Sequence, residues 1–483
     1  MHTLWKFTTR LVLVLGVSTF IYALVSQTPR TFGIPAFARK YQTSCTTCHN
    51  NFPELNDFGE AFKKNGFKFP KDDETFVKEA PVMLGAKAQK EAFPKAVYPG
   101  EIPGTIPIGF RYSGFATYSS KQPLAVGYLP RTDLFVPNTF TIIAAGSFGE
   151  RLSFWVDNDI SVGGANADAG LGDGYIKIND LGHYMGLPKD LLNFRMGQFE
   201  LELPFTQARS VNLTPYDIYS QASVAGVQGT ANNPFMFGIP QRGIEISGYS
   251  NKGNFQGFEW SAAVVNGSND GTALRNSKDI YVRVSQRLNL ERDPEVRKEV
   301  QAAGPTGPRD HTSIRLGAFY YYGRNALNPS HADPAFGPVG TIHEPFYRAG
   351  ADFRFKYRQF ELYGLGMYGH DQNHMLVMQD STITGLIPGA PVTFSGGFAQ
   401  ANYWVYPWVI AIMRYDLVNS PTNFLNGVSR FNTRNRLSPG VQILIRANLK
   451  WAFEYQHLWE QPIPNSTEFF RLNGFETGFD YSF

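Results

Sequence analysis

The chain has 483 residues, and its 44 Lys and Arg against 41 Asp and Glu leave a net charge of +3. A surplus this small argues against nucleic-acid binding. Aromatic residues make up 15% of the chain and charged residues 18%. Mean hydropathy is only −0.25, and no apolar run after residue 25 approaches the roughly 20 residues that a membrane helix needs. The composition therefore excludes a helical membrane protein in the main body of the chain.

The N-terminal stretch has the pattern of an export signal. Lys6 and Arg10 form a positive region, and the apolar run Leu11–Val25 follows it, which is the order typical of a signal peptide. The small-x-small run at 36–38 is one cleavage site, although it lies far downstream, and positions nearer to the apolar run have poorer context. We predict a signal peptide over residues 1–38, with an uncleaved anchor as the alternative.

The only two cysteines lie together in the run Cys45-Thr46-Thr47-Cys48-His49. A redox dithiol would need a βαβ frame around it, and a structural zinc site would need four ligands. The sequence offers neither. Covalent haem attachment needs this spacing alone, because the two thiols bond to the haem vinyl groups and the next imidazole then faces the iron. We predict one haem c, attached through Cys45 and Cys48 and ligated by His49.

A short helix is expected directly after this motif. The run Pro53–Lys64 puts Leu55, Phe58 and Phe62 on one face, and Asn65 with the following glycine is a suitable stop. Prolines between residues 94 and 107 then mark a linker. About 55 residues between the motif and the first strand are too few to bury a haem alone. We predict a monohaem cytochrome c plug and linker over residues 39–103.

From about residue 106 onward, apolar and polar residues alternate. Leu152 and Phe154 interleave with Ser153, and the last nine residues, FETGFDYSF, put Phe475 and Phe479 on one face. Segments of about ten residues with this pattern are typical of a transmembrane β-barrel, apolar outside and polar inside. A soluble β-sandwich or propeller is the alternative, but the chain shows no blade repeat. We predict an all-β fold, an antiparallel outer-membrane β-barrel over residues 104–483.

Counting these segments predicts about sixteen strands, an even number as bacterial barrels require. Short turns at 149–150, 251–253 and 358–359 join an even strand to the following odd one, whereas most long connections join odd to even. Short turns belong on the periplasmic side and long loops outside. The charged stretch 287–310 breaks this parity, so the count could differ by two. The expected strand starts are residues 108, 139, 152, 174, 192, 243, 255, 279, 313, 346, 360, 394, 408, 440, 451 and 472.

The motif segment carries a resemblance to a known family. The run FARKYQTSCTTCHNNFPELNDFGEAFKKNGFKFP, Phe37–Pro70, resembles the cytochrome segment of the fused monohaem cytochrome–porins of the bacterial outer membrane, members of which are associated with oxidation of extracellular Fe(II). The Phe-Ala-Arg lead-in, the Phe-Pro-x-Leu-Asn run and the Phe-x-x-x-Gly-Phe end all match. The resemblance implies haem attachment at Cys45 and Cys48, with His49 as the proximal ligand. Beyond this segment, only the barrel pattern and the length agree.

Plug, barrel and resemblance together predict an outer-membrane electron conduit. Because the apolar band of a barrel is about 25 Å tall, a haem held in the wide lumen would lie within reach of both surfaces. Extracellular Fe(II), or another donor, would reduce the haem, and a periplasmic c-type cytochrome or copper protein would accept the electron. This activity would make the chain an Fe(II):cytochrome c oxidoreductase. Outward electron transfer and a solute porin with a haem-bearing plug are the alternatives.

Further residues in the plug and in the expected loops are candidates for direct contact with iron. Met83 is the only methionine that follows the motif within the plug, and methionine opposite histidine would raise the haem potential. A lumen histidine such as His183 is the alternative distal ligand. His370 and His374 share an expected outer loop with a carboxylate and could contact Fe(II) transiently. A second such group comprises His331, Asp333, His343 and Glu344.

Overall fold

A computed structural model describes the chain in part. The described residues are 36–69, 73–77, 82–83, 91–95, 101–102, 107–119, 132–160, 170–206, 212–220, 235, 237–251, 257–267, 278–291, 312–327, 342–372, 374–379, 382–388, 391–419, 424–425, 428–429, 434–459 and 473–483. The expected signal peptide lies almost entirely outside these ranges.

A closed antiparallel barrel dominates the described structure, and each of its strands pairs with its neighbours in sequence. The prediction of sixteen strands is confirmed. The barrel strands are β1 Ile108–Ser119, β2 Thr132–Phe148, β3 Leu152–Ile160, β4 Gly170–Ile178, β5 Asn193–Phe199, β6 Gln241–Asn251, β7 Gly257–Val265, β8 Asp279–Asn289, β9 Ser313–Leu327, β10 Ile342–Tyr357, β11 Phe360–Asp371, β12 Val392–Tyr406, β13 Val409–Asn419, β14 Arg434–Arg446, β15 Leu449–Leu458 and β16 Gly474–Ser482.

The two faces of the sheet differ in polarity, as the alternating pattern predicts. Along β6, Ile244 and Ile246 are 48% and 42% exposed, whereas Glu245 between them is 2% exposed. Successive side chains of a strand point to opposite faces. The apolar residues therefore form the outer surface, and the polar residues are buried in the lumen, which is the arrangement of a membrane-spanning barrel.

The last strand closes the barrel against the first. β16 pairs with β1 in a register that places Tyr481 opposite Tyr112. Beyond the strand, the backbone N–H of Phe483 donates to the carbonyl of Phe110 at 2.9 Å, and the N–H of Phe110 donates back at 2.6 Å. The aromatic C-terminal segment therefore forms the closing strand and leaves no open sheet edge there.

Connection lengths mark the two ends of the barrel. Short turns join β2 to β3, β10 to β11, β12 to β13 and β14 to β15 at one end, which is the periplasmic end of such barrels. The β8–β9 connection lies at that end as well, although it spans residues 290–312. The stretch that breaks the predicted parity is therefore a long connection at the periplasmic end, and the strand count is unaffected. Most of it lies outside the described residues.

Four short helices accompany the barrel in the described part of the chain. They are α1 Ala36–Tyr41, α2 Asp57–Lys64, α3 Asp73–Phe76 and α4 Asp217–Ser220. Short paired strands occur at His49–Asn51 with Glu54–Leu55, Val82–Met83 with Glu101–Ile102, His374–Gln379 with Thr382–Pro388, and Phe424–Leu425 with Val428–Ser429. Among the described residues, every helix is too short or too polar to cross a membrane.

The prediction that the plug helix starts at Pro53 is wrong. α2 begins at Asp57, because the side chain of Asn56 accepts a hydrogen bond from the backbone N–H of Gly59 and caps the helix. Glu54 and Leu55 instead form a short strand that pairs back to His49–Asn51. The haem-motif histidine and the helix are therefore separated by a tight hairpin rather than joined by a continuous helix.

Candidate functional site

The cysteine pair forms one compact turn. Cys45–Thr47 is a 3-10 helix, capped by the side chain of Ser44, and the N–H of Cys48 donates to the carbonyl of Cys45 at 3.2 Å. Burial raises the pKa of the Cys45 thiol and raises that of Cys48 to about 12. A reactive dithiol needs a lowered thiol pKa, so this environment does not favour the redox-dithiol interpretation.

His49 follows the turn and is oriented by one hydrogen bond. Its Nδ1 lies 3.1 Å from the carbonyl oxygen of Pro53, so Nδ1 carries the proton and Nε2 keeps its lone pair. Burial lowers the pKa of His49 to about 4. The imidazole is therefore neutral at ordinary pH, which is the form that binds iron, with the second nitrogen held as metal-binding histidines usually hold it.

Asn56 ties the cysteine turn to helix α2. Its side-chain nitrogen donates to the carbonyl of Thr47 at 3.0 Å, while its side-chain oxygen accepts from Gly59 at 2.9 Å. A Cβ at Gly59 would overlap the carbonyl oxygen of Cys48, so α2 packs directly on the motif backbone. Turn, histidine and helix thus form one unit.

Both thiols and His49 line the same cavity of about 420 Å³ between the plug and the barrel wall. Cofactor cavities typically fall between about 300 and 1,000 Å³ and are mostly apolar. Aromatic side chains supply much of the lining, namely Phe37, Tyr41, Phe52, Phe62, Phe67, Phe69, Trp155 and Tyr175. The donor set, the free Nε2 and the apolar walls fit a covalently attached haem.

The cavity runs along the inner wall of β1–β4. Gly109, Ala145 and Trp155 lie within the first few residues from the periplasmic end of their strands, whereas Asp159 and Gly172 lie near the opposite end of β3 and β4. On the plug side, Phe67 lies 5.6 Å from Trp155, measured between ring centroids. The cavity therefore spans most of the length of these two strands.

Ion pairs join the plug to the barrel at the periplasmic end. Asp57 Oδ1 lies 2.9 Å from both Lys356 Nζ and Arg287 Nη1. Glu54 pairs with Arg354, and Lys64 pairs with Glu259. Arg354 and Lys356 belong to a strand whose sequence indicates only a polar lumen, so their plug contacts could not be predicted from the alternating pattern.

The acidic side chains on the cavity wall were not predicted as site residues. Asp157, Asp159 and Asp173 line the same cavity as the cysteine turn, together with Glu200. Asp157 accepts hydrogen bonds from the indole of Trp155 at 2.9 Å and from the backbone of Asp173. The alternation along β3 does indicate that Asp157 and Asp159 face the lumen. It does not indicate that the plug leaves its cavity beside them.

The connection between β5 and β6 folds into the lumen. Tyr216 stacks on Phe398 of β12 with ring centroids 4.1 Å apart, and Asp217 forms an ion pair with Arg436 at 3.0 Å. Arg414 donates to the carbonyl of Thr214 at 3.0 Å. This inward segment, residues 200–206 and 212–220, occupies lumen space beyond the plug.

The other predicted iron contacts lie away from the cavity or outside the described side chains. Met83 belongs to a short strand paired with Glu101–Ile102, and its side chain is not described. The suggestion that His183 is a lumen residue is wrong, because this residue is exposed in the 3-10 helix Leu181–Met185 at the periplasmic end. The distal-ligand prediction for Met83 stays a prediction.

His370 lies in strand β11 rather than in the expected loop. It stacks on Tyr347 with ring centroids 5.2 Å apart, on the outward face of the barrel. His374 begins a short hairpin, His374–Gln379, and its side chain is not described. Glu344 is buried, whereas His331, Asp333 and the side chain of His343 lie outside the description. The Fe(II) contact at His370 and His374 stays a prediction.

The described residues contain no group of three or more His, Cys, Asp or Glu side chains that could hold a metal ion. The acidic wall is therefore a charged surface and not a preformed ion site within that part of the chain.

No protein-family model and no curated protein matches the sequence. Solved structures do match. An anion-selective porin from Comamonas acidovorans is 13% identical, covering 78% of this chain and 98% of its own, with a TM-score of 0.47. OmpF of Salmonella typhi, in complex with daunomycin, is 10% identical over 78% of this chain and 97% of its own, with a TM-score of 0.44. The outer membrane channel DcaP of Acinetobacter baumannii is 9% identical over 78% and 96%, with a TM-score of 0.43.

The architecture itself decides the location. Among bilayer-spanning folds, only helices and closed barrels satisfy every backbone hydrogen bond. The closed barrel of this chain has an apolar outer face and a polar lumen. The chain is an outer-membrane β-barrel protein with a channel or conduit architecture.

Proposed function

We propose that the protein is a one-haem electron conduit of the bacterial outer membrane. It oxidises extracellular Fe(II) to Fe(III) and passes each electron to a periplasmic c-type cytochrome or copper protein, whose metal is reduced by one electron. When bound, a c-type haem supplies the one-electron carrier between them. The observation that supports this proposal most directly is the convergence of Cys45, Cys48 and His49 on one apolar cavity inside a closed barrel.

The chain's own residues prepare each side of the transfer. The hydrogen bond from His49 to Pro53 orients a neutral imidazole, and aromatic side chains supply much of the cavity lining. Asp157, Asp159 and Asp173 place carboxylates along the cavity wall. The cavity also reaches the periplasmic end of β1–β3, which shortens the second transfer, to a soluble acceptor.

The plug and the inward segment inside the lumen favour the conduit over the solute-porin alternative. The plug occupies the periplasmic end through ion pairs of Glu54 and Asp57, and the inward segment packs on β12 and β14 beyond it. A porin needs a continuous water-filled path. The outward-transfer alternative uses the same architecture, so only the direction of spontaneous electron flow separates it from Fe(II) oxidation.

Anaerobic stopped-flow mixing tests the proposal. Purified, oxidised, haem-loaded protein is mixed with Fe(II) while the haem absorption bands are recorded. We expect reduction at a rate that rises with Fe(II) concentration, and reoxidation when an oxidised periplasmic-type cytochrome is added. A sample that dithionite reduces but Fe(II) does not would contradict Fe(II) oxidation. Reduced protein that instead passes its electron to external Fe(III) would support outward transfer.

A further inference from the structure

A second, smaller cavity lies in the lumen on another side of helix α2. Its volume is about 120 Å³, and it is bounded by Glu60, Lys63 and Lys64 of α2, by residues of β4–β11, and by residues 202–206 of the inward segment. A cavity that holds one water needs about 10–15 Å³ of such space. This lumen chamber therefore has room for several waters or for one small polyatomic ion.

Many charged side chains line the chamber wall, and most of them form ion pairs. Arg195 pairs with Glu245 at 2.6 Å, and Arg283 pairs with Asp352 at 2.6 Å. Lys64 pairs with Glu259. The two charges of each pair neutralise each other, so these pairs do not by themselves indicate a ligand.

Arg315 differs from these cations. It lines the chamber and is only 6% exposed, yet no described carboxylate lies within ion-pair distance of it. Nη2 makes a long hydrogen bond of 3.3 Å to the carbonyl of Pro204, and Nε has no partner among the described atoms. A buried charge without a counter-ion carries a large desolvation cost. A ligand with negative charge would remove that cost.

Further unpartnered polar atoms line the same chamber. Ser261 and Thr206 are 5% and 7% exposed, and their hydroxyls have no described partner. Nε of Arg195 also has no described partner. One carboxylate oxygen of Glu54, in the plug, also has no partner among the described atoms. Its negative charge disfavours an anion close to it. Unpartnered donors therefore outnumber the unpartnered carboxylate oxygen. Two of these donors lie close together in the chain's fold, because Thr206 belongs to the segment 204–206 and Arg315 donates to Pro204 of the same segment.

We propose that the lumen chamber binds one small inorganic oxyanion, sulfate or phosphate, with Arg315 as its principal ligand and the hydroxyls of Ser261 and Thr206 as further donors. A planar guanidinium matches the paired oxygens of an oxyanion, and hydroxyl donors satisfy the remaining ones. Chloride lacks the paired oxygen atoms that match a planar guanidinium. The proposal concerns a site separate from the haem cavity and does not depend on electron transfer.

Isothermal titration calorimetry on the haem-loaded protein tests this site. Sodium sulfate and, separately, sodium phosphate are titrated in chloride buffers of matched ionic strength. We expect one saturable site per chain, with affinity weakened about tenfold or more in Arg315→Gln, because a hydrogen bond to a charged group is lost. Arg358→Gln removes an exposed charge from the β10–β11 turn and should bind as the wild type does.

The outcomes separate clearly. An absence of saturable binding in the wild type, equal binding by Arg315→Gln, or displacement of sulfate by equimolar chloride would each overturn the proposal. The mobility of unheated samples on gels reports whether each barrel is folded. If Arg315→Gln fails to fold, Ser261→Ala replaces it, and weaker sulfate binding by this variant supports the site whereas unchanged binding counts against it.

Discussion

Asn56 holds the cysteine turn and the plug helix together, and it does so with both the nitrogen and the oxygen of its side-chain amide. Its nitrogen donates to Thr47 and its oxygen accepts from Gly59. Asn56→Ala removes both contacts, and loss of a helix cap typically costs about 0.5–2 kcal/mol. Asn56→Asp keeps the acceptor only. We expect protease to cut the plug fastest in the Ala variant, more slowly in the Asp variant and slowest in the wild type. Equal cleavage of all three would contradict this role.

Met83 is the residue whose proposed role is easiest to isolate by spectroscopy. If its thioether is the distal ligand, Met83→Ala should abolish the weak sulfur-to-iron band at the red end of the oxidised spectrum and lower the midpoint potential, because methionine ligation raises it. Met185→Ala, a change at an exposed methionine, is the matched control. A Met83→Ala spectrum identical to that of the wild type would remove Met83 from the iron site.

At the scale of elements, the plug helix is anchored both by apolar contact of Phe62 with the barrel wall and by charge. Asp57 binds Lys356 of β10 and Arg287 of β8, and the side chains of Asp57 and Lys356 are each 2% exposed. Removing one partner of a buried pair costs about 3–5 kcal/mol, because the other charge is left uncompensated. We therefore expect Asp57→Asn to loosen the plug.

The measurement for Asp57→Asn is the rate at which added protease cuts the plug of the folded, haem-loaded protein, with the barrel monitored by its unheated gel mobility. Glu91→Gln removes an exposed carboxylate from the same N-terminal region and serves as the control. Cleavage of Asp57→Asn at the control rate, with the barrel intact, would show that these ion pairs do not hold the plug.

The elements also show which features sequence patterns can predict. The barrel could be predicted because lipid outside and water inside impose alternation on every strand, as in Ile244, Glu245 and Ile246. The grouping of Cys45, Cys48 and His49 around one cavity could be predicted because their spacing is local. The start of α2 was missed, since the hairpin ahead of it depends on pairing between Glu54–Leu55 and His49–Asn51, which no period in the sequence reveals.

Contacts between distant segments set the limit of sequence reasoning at the site. Asp57 and Lys356 meet only because the plug enters the lumen, and Asp157 borders the haem cavity for the same reason. His370 was expected in a loop because polar residues surround it, whereas β11 extends further and stacks its ring on Tyr347. Such placements follow from tertiary structure alone.

At the scale of the whole molecule, the barrel and its plug act as one unit across the membrane. The closed sheet insulates the lumen from lipid, the plug and the barrel wall enclose the cavity, and the inward segment occupies lumen space beyond the plug. Under the proposed function, this arrangement would carry an electron through the membrane without passage of the ion that donates it. The central claim is therefore transmembrane electron transfer through one attached haem.

Proteoliposomes test that claim most directly. Oxidised soluble c-type cytochrome is trapped inside vesicles that contain the protein, and Fe(II) is added outside under anaerobic conditions. We predict reduction of the trapped cytochrome in vesicles with the wild-type protein, and only the leak rate with a Cys45→Ala/Cys48→Ala variant whose barrel is folded. Reduction of the trapped cytochrome at equal rates with both proteins, or with neither, would contradict the account.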